Sequence, residues 1–422
     1  MPVVKETICI AGLGYVGLPL AECFVHAGFC VVGYDADGER IAQLQSGRDI
    51  GGELCEGRLS SILPNLTLTD DINAAKECTA YLIAVPTPLD DGNKPDLSPL
   101  RAACVAIGGV LKRGDVVVVE STVYPGVTEE VCAPLLARVS GLRYNDDFVC
   151  GYSPERISPG DKSRRVADIV KVTAGSTAEA AKRVDDLYRA AITAGTTPAP
   201  SIRVAEAAKA VENTQRDVNI ALMNELAMLL ESAGLDSGEV FAAAGSKWNF
   251  LPFSPGLVGG HCIGVDPYYL LHKAQSCGYS PNLILAARQI NDGMGQYVAR
   301  ALLRLMMLRG ITVKGAKVLI LGFTFKENCA DARNSRVFDL HRALAEVGCE
   351  VRVCDPLADA AKVRAEYGIT ISADYEAELA QKPAAVVFAV SHACFGDITS
   401  AQLQGMLVAD VKGIAPRADW RL

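Results

Sequence analysis

The chain has 422 residues, half of them hydrophobic and 21% charged, with a net charge of −8. That length is too great for one ordinary core, so two or three domains are expected. The acidic balance argues against a nucleic-acid-binding surface, and no run reaches the ~18 uninterrupted apolar residues that would span a membrane.

The opening stretch, MPVVKETICIAG, has no basic leader and no small-residue cleavage site, so it reads as a strand and not as a signal peptide. None of the 14 cysteines form a C-x-x-C pair, and Cys9, Cys23, Cys30, Cys104 and Cys349 lie inside apolar patterns. Buried, reduced thiols in a cytoplasm are expected. Short apolar runs then alternate with helical stretches. TICIAGLG, FCVVGYD, AYLIAVPTP, DVVVVEST, DFVCGYSP and VKVTAG read as strands, and LPLAECFVHAG carries apolar residues at helical spacing. Near-continuous apolar strands separated by amphipathic helices predict a parallel sheet covered on both faces.

Gly12-Leu13-Gly14-Tyr15-Val16-Gly17 follows the first strand and opens the first helix. In such a G-x-G-x-x-G the first glycine permits the turn, the second lets backbone reach a pyrophosphate, and the third lets helix pack on strand. The next strand ends in Asp35, about 20 residues on, where a carboxylate can hold a ribose 2′-hydroxyl. An acid there predicts NAD over NADP, because it would repel a 2′-phosphate; Arg40, close by, is the residue that would favour the phosphate. Ligands of open α/β sheets sit beyond the carboxyl ends of the strands. Pro86-Thr87, Ser121-Thr122 and Glu155-Arg156 end successive strands and so fall at that edge.

From about Ser201 to Ala233 there is no proline and no glycine, and apolar positions recur at three- and four-residue steps. This is one long helix, a natural domain connector and dimer surface. Lys209 and Asn213 are four apart, hence on one face, where they can bind an oxyanion or a hydroxyl. Glu206 and Glu212 read as solvated positions of the same helix.

The loop PGLVGGHCIGVDPYY, Pro255 to Tyr269, sets Cys262 after Gly259, Gly260 and His261, with Asp266 beyond. Metal-ligand spacing is absent, so no metal site is predicted. NAD together with a loop cysteine points to aldehyde chemistry: a thiolate adds to an aldehyde, the thiohemiacetal gives up hydride, and water opens the thioester. Asp266 can orient or deprotonate that water. His261 either lowers the thiol pKa by charge or caps a backbone carbonyl.

The last third restarts the first pattern. VKGAKVLILGFTFKENCADARNS is strand then turn, and RVFDLHRALAEVGCEVRVCDP is helix, strand and acid; AAVVFAVS and GMLVADVKG are further strands. Gly322-Phe323-Thr324-Phe325-Lys326 lacks the later glycines of the dinucleotide fingerprint, so its ligand differs; a nucleotide phosphate met by Lys326 and Arg333 fits. The fold class is α/β, two Rossmann-like doubly wound parallel-sheet domains joined by a long central helix. The expected domains are 1–200, 201–305 and 306–422.

The motifs GLGYVGLPLA, VPTP, ESTVYPGVTE, SPERISPG, AEAAKAVENTQRDVNIALMNELA, GGHCIGVDP and GFTFKENCADARNS, in that order, resemble the UDP-glucose/GDP-mannose dehydrogenase family over essentially the whole chain. The resemblance implies oxidation of a nucleotide-sugar C6 hydroxyl to a carboxylate with two NAD+ and one cysteine. It implies Cys262 as nucleophile, with Lys209, Asn213 and Asp266 handling oxyanion and water and Thr122 and Glu155 assisting. It implies cofactor contacts from Gly12, Gly14, Tyr15, Val16, Gly17, Asp35, Arg40, Pro86, Thr87, Ser121 and Thr122. For the substrate it implies Glu155, Arg156, Lys209, Asn213, Asn249, Phe250, Gly259, His261, Phe325, Lys326 and Arg333, with the C-terminal domain holding UDP. A homodimer, or a higher homo-oligomer, through the central helix follows too. UDP-glucose dehydrogenases usually carry Pro-Lys-Asp after the cysteine; here Cys262-Ile263-Gly264-Val265-Asp266 keeps the acid and lacks the lysine. This is similar to the branch acting on UDP-N-acetylglucosamine or UDP-N-acetylgalactosamine for surface polysaccharides. UDP-glucose or UDP-N-acetylmannosamine are the alternative substrates. A single-step β-hydroxyacid dehydrogenase is the runner-up enzyme, and an NAD-binding scaffold is the non-enzymatic reading.

Overall fold

The computed structural model describes residues 6–90, 92–157, 164–260 and 262–422. The chain divides into two compact units, Met1–Glu212 with Tyr268–Gly278, and Asn213–Pro267 with Tyr279–Leu422.

In the first unit, strands β1 (Thr7–Ala11), β2 (Cys30–Tyr34), β3 (Leu66–Thr69), β4 (Ala80–Ile83), β5 (Val116–Val119), β6 (Val149–Tyr152), β7 (Lys171–Gly175) and β8 (Thr196–Pro198) form one sheet. Its order is β3-β2-β1-β4-β5-β6-β7-β8. Both faces are covered, which is why the strands read as unbroken apolar runs. Ile8 and Ile10 of β1 enter one core while Cys9 and Ala11 enter the other, and the four valines of β5 divide the same way. The order reverses between β1 and β4, so the turn after β1 lies at the topological switch point. One junction departs from the all-parallel expectation. β6 and β7 pair antiparallel, Gly151 opposite Gly175 and Tyr152 opposite Ala174. A parallel return needs a long crossover, usually a helix; among the described residues this connection holds only the three-residue turn Val166–Asp168.

The predicted long helix is observed at Ile202–Ser232, 31 residues, and the division between the units falls inside it, after Glu212.

The second unit repeats the plan with β9 (Lys317–Leu321), β10 (Glu350–Cys354), β11 (Ile371–Ser372), β12 (Ala385–Phe388), β13 (Leu407–Asp410) and β14 (Trp420–Arg421). The order is β11-β10-β9-β12-β13-β14, parallel throughout. Val318 and Ile320 of β9 enter one core and Leu319 and Leu321 the other. Its switch point lies between β9 and β12.

The cysteines are free thiols. Cys9, Cys23, Cys104 and Cys349 are buried as expected, but Cys30 is exposed, because it begins β2 where the strand emerges from the core. Among the described residues no helix is long and apolar enough to cross a membrane.

Candidate active site

The turn after β1 is built to receive an anion close to backbone. Gly12 has φ 95°, and a Cβ there would lie 2.8 Å from the Ala84 carbonyl oxygen, so only glycine fits. At Gly14 a Cβ would meet nothing within 4 Å, so open space lies over the second glycine. The Leu13 peptide between them is held at both ends. Asp35 Oδ2 accepts its N–H at 2.8 Å, and Arg40 Nε and Nη2 donate to its carbonyl at 3.1 and 2.9 Å. Arg40 Nη1 is bound to Asp49 at 2.7 Å. Arg40 therefore shapes the turn, with its nitrogens turned into the protein. Val16 is buried in the core, and Tyr15 is half-buried. A glycine cradle, a helix N-terminus and an acid at the end of β2 fit a dinucleotide.

The neighbouring strand ends are tied into one edge. Ser121 Oγ donates to Val85 O at 2.6 Å and Thr87 Oγ1 to Thr122 O at 2.7 Å. Tyr269 OH donates to Thr87 O, a brace with no signal in the sequence.

Glu155 is buried at the end of β6, where its Oε1 accepts the N–H groups of Arg156 and Ile157 at 2.6 and 2.7 Å. Behind it stands a group that sequence reasoning missed. Lys171 of β7 is 1% exposed, with Nζ 2.5 Å from Glu120 Oε2 and 3.6 Å from Glu155 Oε2. Tyr188 donates to the other oxygen of Glu120. Burial pushes the Glu120 carboxyl up against the pull of Lys171. Arg156 pairs with Glu212 at 2.5 Å.

The long helix corrects one expectation. Glu206 is not solvated; it is 0% exposed, and its carboxylate accepts the N–H groups of Gly126 and Thr128 at 2.5 and 2.9 Å. It pins the turn that follows Thr122. Burial outweighs those two bonds and raises its pKa to about 6. Lys209, one turn on, is buried, and so is Asn213.

In the second unit Asn213 Nδ2 lies 2.5 Å from Asp266 Oδ2, and both residues are buried. Asp266 opens the helix Asp266–Ser276, and its N–H donates to the Cys262 carbonyl at 2.9 Å. The half-buried thiol and the amide–carboxylate pair are thus joined by one helical turn. His261 lies outside the described residues.

The glycines of this loop have a partner within the protein. A Cβ on Gly260, at φ 84°, would meet the Phe325 ring at 2.7 Å, and one on Gly259 would meet Asn334 O at 2.5 Å. Asn334 Nδ2 donates to Gly260 O at 2.9 Å. The close approach they permit is to the loop after β9, which carries Phe325, Lys326 and Arg333. The root of the cysteine loop is clamped as well, since buried Asn224 accepts from Gly256 N at 2.8 Å and donates to Gly256 O at 3.1 Å. Arg333 makes two bonds to Asp331, at 2.9 and 2.7 Å. A cleft here is lined by Leu257, Gly259, Lys326, Ser335, Arg336 and Lys412. Lys412, also missed in the sequence, has its pKa lowered by burial, partly offset by the charge of Glu327. Asn249 lies beside the 92%-exposed Trp248 in the segment after the helix Ser237–Gly245, with Phe250 next to it.

Three models of one family match the chain in order. The NAD binding domain of the UDP-glucose/GDP-mannose dehydrogenase family matches residues 6–192, its central domain 203–293 and its UDP binding domain 319–417. A UDP-N-acetyl-D-glucosamine 6-dehydrogenase of Salmonella typhi is 51% identical over 98% of both chains. One of Pseudomonas aeruginosa is 56% identical over 86% of both. The solved structure of a UDP-D-ManNAc dehydrogenase from Pyrococcus horikoshii superposes with TM-score 0.89 at 32% identity, covering 98% of both chains. Three models of one family in chain order, and relatives alike over nearly its whole length, show that the chain belongs to the UDP-glucose/GDP-mannose dehydrogenase family as an NAD-dependent dehydrogenase.

Proposed function

We propose that this enzyme oxidises the C6 hydroxyl of a UDP-N-acetylhexosamine, UDP-N-acetylglucosamine first, to the carboxylate. The observation that carries the reading is the Cys262–Asp266 turn, with Asn213 2.5 Å from the Asp266 carboxylate. The N-acetyl assignment is supported by the names of the relatives at 51% and 56% identity and by the missing lysine between Cys262 and Asp266.

NAD+ supplies the hydride acceptor for both oxidations. Asp35 and the Gly12–Gly17 turn hold it, with the Pro86-Thr87 and Ser121-Thr122 edge beside them. Lys209 and Asn213, on one helix face, contact the C6 oxygen as it loses its proton. The Cys262 sulfur adds to the resulting aldehyde carbon, so the aldehyde is kept as a thiohemiacetal. Loss of the second hydride leaves a thioester on Cys262. Water oriented by Asp266 cleaves it, releasing the acid and returning the thiol. Lys326 and Arg333 hold the UDP moiety in the second unit. A homodimer through the long helix belongs to the same proposal, supported by Val204, Val211, Leu222 and Leu229, which are 46% to 58% exposed on it.

The test is NADH formation with UDP-N-acetylglucosamine, UDP-N-acetylgalactosamine, UDP-N-acetylmannosamine and UDP-glucose. The highest kcat/KM is expected on UDP-N-acetylglucosamine. Preference for UDP-glucose would overturn the N-acetyl assignment, and binding of NAD with no turnover on any of the four would favour a scaffold.

A further inference from the structure

His392 follows β12 at the switch point of the second sheet and is 1% exposed. Its Nδ1 accepts the Asn328 N–H at 2.9 Å. Nδ1 therefore bears no proton, and Nε2–H is the donor of a neutral ring. That proton has two acceptors, Asp355 Oδ2 at 3.0 Å and Thr324 Oγ1 at 3.1 Å. Thr324 donates its own hydroxyl proton to Lys326 O at 2.9 Å, so its oxygen is free to accept. The ring thus reaches Lys326 from both sides, through Thr324 to its carbonyl and through the N–H of Asn328 two residues on. Asn328 is held at φ 54° in the left-handed region, and its side chain accepts Ala393 N–H at 2.9 Å, which returns the loop to the histidine turn.

We propose that His392 is a positioning residue for the Lys326 turn, and that its neutral Nε2–H form sets how firmly the second unit grips the diphosphate of a nucleotide sugar. This rests on the reading that Lys326 meets the sugar nucleotide. Asp355, from the end of β10, is the charged group facing the ring. Cys394 and Asp397 lie on the short helical turn that begins beside it, and Lys326 and Glu327 on the loop it holds. Burial pushes Asp355 up, but the bond from His392 and the N–H groups of Phe323 and Thr324 outweigh it and hold the carboxyl below its usual value. Asp355 therefore meets the ring as a carboxylate acceptor.

The experiment measures, at pH 8, kcat and KM for UDP-N-acetylglucosamine and NAD in the wild type, His392→Gln, His392→Leu and Lys326→Ala. His392→Gln keeps an acceptor for the Asn328 N–H and gives a sugar-nucleotide KM within about threefold of the wild-type value. His392→Leu raises that KM about tenfold, with kcat and the KM for NAD nearly unchanged. A KM as high in His392→Gln as in His392→Leu, or an unchanged KM in His392→Leu, would overturn the proposal. Nitrogen-15 NMR of the wild-type ring supplies an arm independent of variant folding: Nδ1 unprotonated and Nε2 protonated is expected, and the opposite tautomer would refute the bracket. An unaltered sugar KM in Lys326→Ala would instead refute the underlying site reading, and with it the link to nucleotide grip.

Discussion

Replacing Glu206 with alanine removes the acceptor of two buried backbone N–H groups, those of Gly126 and Thr128. An orphaned buried donor costs about 1–3 kcal/mol, so the pair costs about 4 kcal/mol at mid-range. That figure applies where the carboxyl contributes fully. Its folded pKa is raised to about 6 from 4.5, so its contribution is complete below the unfolded value and is lost as pH rises through the folded one. The difference of 1.5 units corresponds to about 2 kcal/mol. At pH 7.5 the alanine variant should cost about 2 kcal/mol, and at pH 5, where part of the difference remains, about 3 kcal/mol. Hydrogen–deuterium exchange of the segment 121–133 reads this locally. After correction for intrinsic rates, protection of the Gly126 and Thr128 amides should fall about thirtyfold at pH 7.5 and about two hundredfold at pH 5. Unchanged protection, or a larger loss at pH 7.5 than at pH 5, would refute the reasoning.

Three further outcomes are expected. Cys262→Ser should lose at least about a thousandfold in acid production while still binding NAD, measured by NADH formation and by product mass; undiminished acid yield would remove the nucleophile assignment. Arg40→Met frees the Leu13 carbonyl and should raise KM for NAD about tenfold with KM for the sugar nucleotide unaltered; equal changes in both would point to a general loss of fold. Lys171→Met leaves the carboxylates of Glu120 and Glu155 buried without their cation and should destabilise the first unit by about 3–5 kcal/mol, whereas Lys171→Met with Glu120→Met should recover most of it. A double variant no more stable than the single one would show that the ion pair is not the cause.

The fold was legible because two-sided burial writes itself into β1, β5 and β9 as continuous apolar runs, and because Gly12 and Asp35 stand at the spacing of a dinucleotide-binding turn and its acid. Strand direction left no such mark. VKVTAG reads the same whichever way β7 runs, so its antiparallel pairing with β6 emerges only in the structure. Glu206 reads from the sequence as a solvated charge of the long helix; what accounts for its burial is the turn Gly126–Thr128, some 80 residues away, whose amides need an acceptor. Lys171 opens an apolar strand that gives no sign of its partners, because its role depends on Glu120 and Glu155 arriving from β5 and β6. The glycines around Cys262 signalled a close approach correctly, but the partner, Phe325 and Asn334 from a loop beyond the next long helix, could not be named from the loop itself.

The central claim is a four-electron oxidation on one cysteine. The measurement that tests it most directly is the number of NADH formed per UDP-N-acetylglucosamine consumed, with the product identified by mass. The account predicts two NADH and the uronic acid, with no free aldehyde; one NADH per sugar, or release of the aldehyde, would contradict it.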